Sequence, residues 1–279
     1  MTAVITSTKN PLVKRIKDLA RRDAREAEGR FVVEGIRMVE EVLSSDLRVE
    51  LLLHDAAATD PRVLALVDRA RAAQVRLMPA SRHVIEACSA VETPQGILAV
   101  VEQPHASVDQ WLDARDLLLV VADRVQDPGN LGTIIRIADA AGASGVVVTG
   151  GSADPFNPKT LRATMGSIFH LPVVEREAAM IQARLRAAGV KVLVADQAGT
   201  IDYAEADYRP PLAIVLGNEG QGANPAWRAS ADAMVRIPLY GRAESLNVAV
   251  AAGLLLYEAR RAIGGNAHRS PEKVREGSG

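Results

Sequence analysis

The chain has 279 residues, of which 48% are hydrophobic and only 3% are aromatic. That length is ordinary for two globular domains, and the composition predicts aliphatic cores in an α/β arrangement. The formal net charge of −1 excludes a uniformly basic nucleic-acid binder, so any RNA contact must come from local clusters of Lys and Arg.

The amino terminus carries such a cluster on a predicted amphipathic helix from Asn10 to Arg22. Leu12, Ile16 and Leu19 form its apolar face. Seven cations stand against Asp18 and Asp23 in this region, and the pattern fits either a solvated helix face or an RNA contact. The cations are Lys9, Lys14, Arg15, Lys17, Arg21, Arg22 and Arg25.

Short β-rich segments then alternate with helical ones up to Glu102, which predicts a small α/β domain over residues 1–102. A linker is predicted at 103–112, because Gln103 to Asp109 carries Pro104 and Ser107 and breaks both periodicities. The predicted strands are 31–33, 49–53, 75–78 and 97–101, and the predicted helices are 36–43, 62–73 and 82–90.

A second alternating series predicts an α/β domain over residues 113–265, followed by a flexible tail at 266–279. Several strands are apolar along their whole length, which is typical of a parallel sheet covered on both faces. The predicted strands are 117–122, 146–149, 191–195, 212–217 and 234–239, and the predicted helices are 131–141, 159–169, 177–188 and 245–263.

Three loops of this second domain follow strands and are rich in Gly and small polar residues, so we expect them at the carboxyl edge of the sheet. In the first, Asn130 is placed to cap a helix or to contact a ligand. Arg136 lies off the apolar stripe of that helix. It is placed either to pair with Asp139 or to hold a phosphate or reacting hydroxyl.

The second loop is Leu216-Gly-Asn-Glu-Gly-Gln-Gly222, where small residues permit a close approach of the backbone to a ligand and Glu219 adds a carboxylate. Its glycines do not match the dinucleotide fingerprint. The third loop runs from Ile237 to a long helix predicted to begin at Ser245, with Asn247 as a further polar residue in the first turn.

A single cysteine, Cys88, excludes an intrachain disulfide framework and favours a reducing, cytoplasmic compartment. The five histidines are scattered without metal-ligand spacing, so no metal site is predicted. The first residues lack a signal-peptide core, and no apolar run reaches the roughly 18 residues that span a bilayer. We therefore expect no membrane association.

Together, three motifs in this order resemble the SpoU/TrmH family of RNA 2'-O-methyltransferases. They are Asn-Leu-Gly-Thr-Ile-Ile-Arg (130–136), Leu-Gly-Asn-Glu-Gly-Gln-Gly (216–222) and Ile-Pro-Leu-Tyr-Gly-Arg-Ala-Glu-Ser-Leu-Asn-Val (237–248). The segments Phe-Val-Val-Glu-Gly (31–35) and Thr-Pro-Gln-Gly-Ile-Leu-Ala-Val (93–100) resemble the ribosomal-protein-like (L30e-like) substrate-binding domain that some members carry.

The resemblance implies a carboxyl-terminal trefoil-knot (SPOUT) domain, S-adenosylmethionine as cofactor, and a homodimer whose active site uses both subunits. By similarity, the cofactor contacts Thr149, Leu216, Gly217, Asn218, Ile237, Leu239 and Leu246. Also by similarity, Asn130, Arg136, Glu219, Ser245 and Asn247 serve catalysis and RNA contact. The amino-terminal residues expected to contact RNA are Lys9, Lys14, Arg15, Arg21 and Arg22.

The expected function is therefore methylation of a ribose 2'-hydroxyl in structured RNA, with ribosomal RNA favoured by the separate amino-terminal domain. Arg136 resembles the residue proposed as the family's base, yet a guanidinium group stays protonated near neutral pH, so phosphate binding and alignment fit its chemistry better. The same chemistry on transfer RNA, a non-catalytic RNA-binding role and protection of the ribosome from an antibiotic remain open alternatives.

Overall fold

The computed structural model of the chain describes residues 3–264. The predicted tail at 266–279 lies outside the described residues. Two β-sheets organise the described part, one of four strands in the amino-terminal half and one of seven strands in the carboxyl-terminal half.

The amino-terminal sheet has the strand order β1-β4-β2-β3. β4 pairs antiparallel with β1 and β2, whereas β2 and β3 are parallel. The strands are β1 Arg30–Glu34, β2 Val49–Asp55, β3 Arg76–Ala80 and β4 Ile97–Glu102; the helices are α1 Pro11–Asp18, α2 Arg22–Glu28, α3 Ile36–Leu43, α4 Pro61–Ala72 and α5 Arg82–Cys88.

The single helix predicted from Asn10 to Arg22 is wrong, because the chain breaks after Asp18 and a second helix starts at Arg22. Leu19 is buried as its place in the apolar stripe predicts. The carbonyls of Leu19 and Ala20, however, accept hydrogen bonds of 2.8 and 2.7 Å from the buried guanidinium of Arg25. A side chain thus takes the place of the amide donors that would continue the helix.

The carboxyl-terminal sheet has the order β7-β6-β5-β10-β8-β11-β9, and its neighbouring strands pair in parallel. The central strands β5, β6 and β10 are buried along their whole length, as expected for a sheet covered on both faces. The strands are β5 Leu118–Ala122, β6 Gly145–Thr149, β7 Val173–Arg176, β8 Lys191–Ala195, β9 Ile201–Asp202, β10 Leu212–Leu216 and β11 Ala233–Arg236; the helices are α6 Asp109–Leu112, α7 Pro128–Ala140, α8 Pro158–Thr164, α9 Ala178–Ala187, α10 Pro225–Ser230 and α11 Val248–Gly264.

Several predicted boundaries in this half are corrected. The helix predicted over 159–169 ends at Thr164, because Met165 and Gly166 adopt positive φ angles of 53° and 101° and a short 3-10 turn follows. The strand predicted over 234–239 ends at Arg236. The strands Val173–Arg176 and Ile201–Asp202 were not predicted, since four and two residues are too few to show a period.

The predicted linker at 103–112 contains α6. Its Trp111 is 8% exposed and packs with residues of the seven-stranded sheet, close to Gly145. The boundaries of the two domains stay predictions.

The two halves are joined by a buried contact surface. Arg25 of α2 forms an ion pair with Asp154, which follows β6, and the two side chains are 3% and 13% exposed. Phe31 of β1 packs on Phe156 with ring centroids 4.9 Å apart and on Phe169 at 6.4 Å. One hydrophobic cluster extends through both halves, so the amino-terminal domain is packed firmly onto the carboxyl-terminal one.

Candidate active site

Three neighbouring strands, β6, β5 and β10, end at the same edge of the parallel sheet and are tied together there by Asp123. This side chain directly follows β5 and is 1% exposed. Its Oδ1 accepts a hydrogen bond of 2.8 Å from the Thr149 hydroxyl at the end of β6, and its Oδ2 accepts one of 2.9 Å from the backbone N–H of Asn224. Sequence reasoning assigned Asp123 no role, although a carboxylate straight after an apolar strand was the available signal.

The Gly-rich loop after β10 is a tight turn closed by paired backbone hydrogen bonds between Asn218 and Gly222, of 3.0 and 2.9 Å. A Cβ on Gly217 would lie 2.0 Å from the Ala223 amide nitrogen, so only glycine fits there. The side-chain NH₂ group of Asn218 donates a hydrogen bond of 3.0 Å to the Arg124 backbone carbonyl. This contact fixes the turn against the loop that follows β5.

A chain of polar side chains crosses the top of this edge. The Asn247 amide donates to Asn130 Oδ1 at 2.9 Å, and the Asn130 amide donates to Glu219 Oε1 at 3.0 Å. The three residues come from the three predicted loops. Along the chain, Glu219 lies 89 positions after Asn130, and Asn247 lies 117 positions after it. The fold therefore brings together three of the five residues predicted to serve catalysis.

Glu219 is held as a carboxylate by this arrangement. Desolvation alone would raise the pKa of its carboxyl, but hydrogen bonds from the Asn130 side chain and from nearby amides lower that pKa overall. The Gln126 and Asp127 amides approach its oxygens at 3.4 Å. An ionised acceptor is thus fixed at the rim of the site at neutral pH.

Of the two roles considered for Asn130, helix cap or ligand contact, the helix cap is wrong. The helix begins earlier, at Pro128, and Asp127 caps it by accepting a hydrogen bond of 2.9 Å from the Asn130 amide nitrogen. Because a residue upstream does the capping, the Asn130 side chain is available to contact Glu219 and Asn247.

The predicted start of the last helix at Ser245 is also corrected. The helix begins at Val248, and Asn247 Oδ1 accepts hydrogen bonds from the Ala249 and Val250 amides at 2.9 and 3.3 Å. Ser245 is consequently free of the helix end. It is exposed and lines a cleft beside the Gly-rich loop.

The Gly-rich loop and the segment 237–248 form the walls of one cleft of about 450 Å³, called here the carboxyl-edge cleft. Its volume lies within the range of small-molecule sites, about 300 to 1,000 Å³. Most predicted cofactor-contacting residues line it, together with Glu219 and Ser245 from the catalytic set. These cofactor-contacting residues are Leu216, Gly217, Asn218, Ile237 and Leu246.

Two predicted cofactor contacts lie elsewhere. Thr149 is 3% exposed and supports Asp123 without lining the cleft. Leu239 is half-buried in the segment after β11 and is likewise absent from the lining. Asp196, which was not predicted, does line the cleft and pairs with Arg228 at 2.7 Å. Asp196 directly follows β8, and no sequence motif marks that strand end.

Arg136 stands apart from the polar chain. It follows Asn130 by six residues on α7, which places it about 9 Å farther along the helix axis. The side chain is exposed, and within residues 3–264 it forms neither the ion pair considered with Asp139 nor any other. Its guanidinium is therefore accessible from solvent.

The amino-terminal cations fall into two groups. Arg15 forms a bidentate pair with Glu50, at 2.5 and 3.0 Å, and also contacts Glu28 at 2.6 Å. The Arg15 hydrogen bond is the main reason why the pKa of Glu50 falls to about 2. Arg15 thus ties α1 to α2 and β2.

Arg21 lies near Asp18 and Asp23, at 3.6 and 3.2 Å, in an exposed position. Arg22 pairs with Glu26 at 2.7 Å and with Glu175 at 2.9 Å across the domain junction. Lys9 and Lys14, by contrast, are exposed and have no ion-pair partner in the described part of the chain.

No metal-binding cluster of three or more His, Cys, Asp or Glu side chains is found among residues 3–264. Over the same residues, no helix combines the length and apolar character needed to cross a bilayer.

Two family models match the two halves of the chain. Residues 117–257 match the SpoU rRNA Methylase family, and residues 10–99 match the MRM3-like substrate binding domain. The chain is 41% identical over 257 residues to the 23S rRNA (guanosine(2553)-2'-O)-methyltransferase RlmP of Bacillus subtilis (strain 168), covering 92% of this chain and 98% of the relative.

A second relative is the 23S rRNA (uridine(2479)-2'-O)-methyltransferase of Streptomyces viridochromogenes, 36% identical over 91% of this chain and 90% of that protein. Among solved structures, the AdoMet-bound rRNA methyltransferase from Sinorhizobium meliloti superposes with a TM-score of 0.84 at 36% identity, covering 93% of this chain and 98% of that one.

Proposed function

The chain belongs to the SpoU rRNA methylase family, and from that premise we propose that it methylates the 2'-hydroxyl of a ribose in ribosomal RNA. One observation carries the proposal. The two motif loops after β10 and β11 share one cleft, and the chain Asn130–Glu219–Asn247 lies at its rim.

The family resemblance read from the sequence is confirmed, and so is the fold class. The chain is an α/β protein whose carboxyl-terminal domain has the SPOUT methyltransferase fold, preceded by a smaller substrate-binding domain. S-adenosylmethionine is the methyl donor, in agreement with AdoMet-bound structures of similar proteins.

The residues of the carboxyl-edge cleft fit that cofactor. Leu216, Ile237 and Leu246 provide apolar surface for a nucleoside, and Gly217 leaves room where a Cβ would collide with the backbone. When bound, the cofactor supplies a methyl group already activated by its sulfonium. The protein therefore has to align the acceptor and accept its proton.

We assign alignment of the acceptor to the rim of the cleft. The ionised Glu219 fixes the Asn130 amide, which in turn fixes Asn247, so the three side chains hold one geometry before RNA binds. Ser245 places a hydroxyl beside them on the cleft wall. Preorganised polar groups of this kind lower the entropic cost of aligning the ribose.

Arg136 is proposed to bind a phosphate of the RNA next to the target ribose. Its guanidinium is exposed and, within the described residues, unpaired, which suits a bidentate phosphate contact. Because it lies about two helical turns beyond Asn130, we propose that it serves the cleft of a second subunit.

An exposed stripe on α11 supports the homodimer. Val250, Leu254 and Tyr257 are 52%, 37% and 56% exposed and follow one another at helical spacing on one face. α11 packs against α7, the helix that carries Arg136, and we propose that a subunit bound to this stripe also reaches that side chain. Sedimentation should show a dimer, and Leu254→Asp should shift it to monomer; a monomeric wild-type chain would refute this part.

We further propose that the domain over residues 1–102 binds the RNA substrate, with linker 103–112 joining it to the domain over 113–265. Lys9 and Lys14 are accessible for phosphate contacts. Arg15, Arg21 and Arg22 are expected to contribute less, because carboxylates already neutralise them. The ribosomal RNA substrate and the single cysteine favour a cytoplasmic location.

Two measurements test the function. Calorimetry should detect S-adenosylmethionine binding, and radioactive methyl transfer should label ribosomal RNA but not transfer RNA. Mapping of 2'-O-methyl groups in RNA from cells with and without the gene then identifies the nucleotide. Binding of the cofactor without transfer to either RNA would instead support the non-catalytic alternative, and labelling of transfer RNA alone would reassign the substrate.

A further inference from the structure

The junction between the two domains contains a groove that the methyl-transfer site does not use. Two apolar hollows, of about 230 and 400 Å³, meet there and share Glu34 of β1 and Arg162 of α8 in their linings. We call the two hollows together the junction groove.

Cations from both domains face this groove. Arg37 of α3 and Arg162 of α8 line the larger hollow, and Lys17 of α1 lines the smaller one. Within residues 3–264 none of these three side chains forms an ion pair or a hydrogen bond. They differ in this from Arg15, which carboxylates hold on two sides.

The acidic residue in the lining, Glu34, is already engaged. Its Oε2 accepts a hydrogen bond of 2.9 Å from the Ala90 amide, and its Oε1 accepts one from the Ser89 hydroxyl. Its charge is therefore partly balanced by local donors. Within the linings of the two hollows, three cations thus stand against this one occupied carboxylate, a balance that favours an anionic ligand.

The floor of the larger hollow is apolar and includes Met38, Val91 and Met165. Gln95 closes one side. Its Oε1 accepts a hydrogen bond of 2.7 Å from the Ile36 amide, so its side-chain NH₂ group remains to donate. An apolar surface next to free guanidinium groups and an amide donor suits an unstacked base with its phosphates.

A short series of contacts links the groove to the methyl-transfer site. Arg162 is three residues, about 4.5 Å of helix, beyond Lys159 on α8. The Lys159 ammonium contacts Asp127 Oδ2 at 3.2 Å, and Asp127 caps the helix that carries Asn130. The contacts of Lys159 and Asp127 therefore connect the groove with the helix that carries the rim residue Asn130.

We propose that the junction groove binds an unpaired nucleotide of the RNA substrate near the target ribose, with Arg37 and Arg162 on its phosphates. This inference rests on the proposed function, since it needs RNA as the substrate. The packing of the two domains would then serve RNA binding, because a fixed junction keeps this nucleotide at a constant distance from the catalytic rim.

The test uses the full chain and in vitro transcribed 23S rRNA, with filter binding between 50 and 200 mM KCl. The double variant Arg37→Gln/Arg162→Gln should bind roughly 10-fold more weakly at low salt and lower the slope of log affinity against log salt by about 1.4 to 1.8. Arg37→Lys/Arg162→Lys should restore much of the slope, because the charges return.

The matched control is Arg115→Gln/Arg186→Gln, which removes the same charge. Both arginines are exposed and precede strands of the large sheet, at the edge opposite the cleft. The control should keep the wild-type slope. Equal slopes for the two double variants would overturn the proposal, because net charge alone would then explain the effect. Thermal unfolding of each variant verifies that it folds.

The only cysteine of the chain gives an independent readout, because Cys88 lines the smaller hollow. Burial raises the pKa of its thiol to about 11, so alkylation by N-ethylmaleimide at pH 8 should be slow enough to time. Bound 23S rRNA should slow it severalfold in the wild type and not in the Gln double variant; no protection in the wild type would place the RNA elsewhere.

The two proposals fail in different ways. If the wild type methylates rRNA while the Gln double variant behaves like the control, only the groove is refuted. If the wild type binds S-adenosylmethionine but neither binds nor methylates rRNA, the proposed function itself is refuted.

Discussion

The helix pair α1–α2 and the carboxyl edge of the large sheet are both rich in polar side chains, yet they use them differently. In the helix pair, arginines are bound by carboxylates or by backbone carbonyls and join elements together. At the carboxyl edge, Asn130, Glu219 and Asn247 hold one another at the rim of an open cleft. Charge counted in a sequence is therefore not charge available to a ligand.

The strongest test of this comparison is Arg25→Ala. It removes the partner of Asp154 and the donor to two carbonyls in a buried junction, so we expect a loss of about 3 to 5 kcal/mol in unfolding free energy. Denaturant titration measures it. Arg21→Ala is the exposed control and should cost less than about 1 kcal/mol. Similar losses for both variants would remove the distinction.

Arg136→Ala should show the opposite behaviour. Stability and cofactor affinity should stay near wild type, because the side chain is exposed, while turnover should fall about 100-fold or more through misalignment of the RNA. Calorimetry and single-turnover methyl transfer separate the two effects. Strong residual activity would contradict the assigned role, and Arg115→Ala provides an exposed arginine as control.

Gly217→Ala tests whether the cleft depends on close backbone packing. A Cβ there would lie 2.0 Å from the Ala223 nitrogen, so we expect a loss of about 1 to 3 kcal/mol together with weaker cofactor binding. Gly220→Ala in the same loop is the matched control, since its Cβ would meet only Asn218 Oδ1, at 3.7 Å. Near-normal cofactor affinity in Gly217→Ala would show that the loop can accommodate a Cβ at this position.

Neutralising basic residues in and next to the helix pair should sharpen the comparison further. Lys9→Gln/Lys14→Gln should lower the salt slope of RNA binding by about 1.4 to 1.8, whereas Arg21→Gln/Arg22→Gln should lower it less, because those arginines have carboxylate partners. Filter binding with 23S rRNA measures both. If neither pair changes the slope, the cluster is only a solvated face.

The smallest expected effect concerns Glu50. Its folded pKa of about 2 lies below the ordinary value of 4.5, so its contribution to stability is full above pH 4.5 and is lost as the pH falls toward 2. Solvent screening limits that contribution to about 1 kcal/mol. Thermal unfolding should show that the difference in melting temperature between the wild type and Glu50→Gln disappears as the pH falls from 4.5 toward 2. An advantage independent of pH would exclude the ion pair as its source.

Local pattern determined much of this protein. The alternation of apolar runs and helical stretches predicted most strands and the α/β class, because periodicity and burial are properties of neighbouring residues. The order of the three motifs identified the family and thereby the chemistry. The predicted boundary failed where a side-chain contact, and not the apolar period, marks the end of a helix, as when Arg25 binds the carbonyls of Leu19 and Ala20 after α1.

Only the tertiary structure decided which polar residues meet. The sequence position of Asn130 fits a helix cap, but Asp127 caps the helix in the structure. The side-chain amide of Asn130 instead donates to Glu219, 89 positions away along the chain. The partners of Asp123 and the position of Asp196 in the cleft wall became visible only because strand ends distant in sequence adjoin at one sheet edge. Parallel pairing sets such neighbours through the crossover of the chain, and no local pattern encodes that crossover.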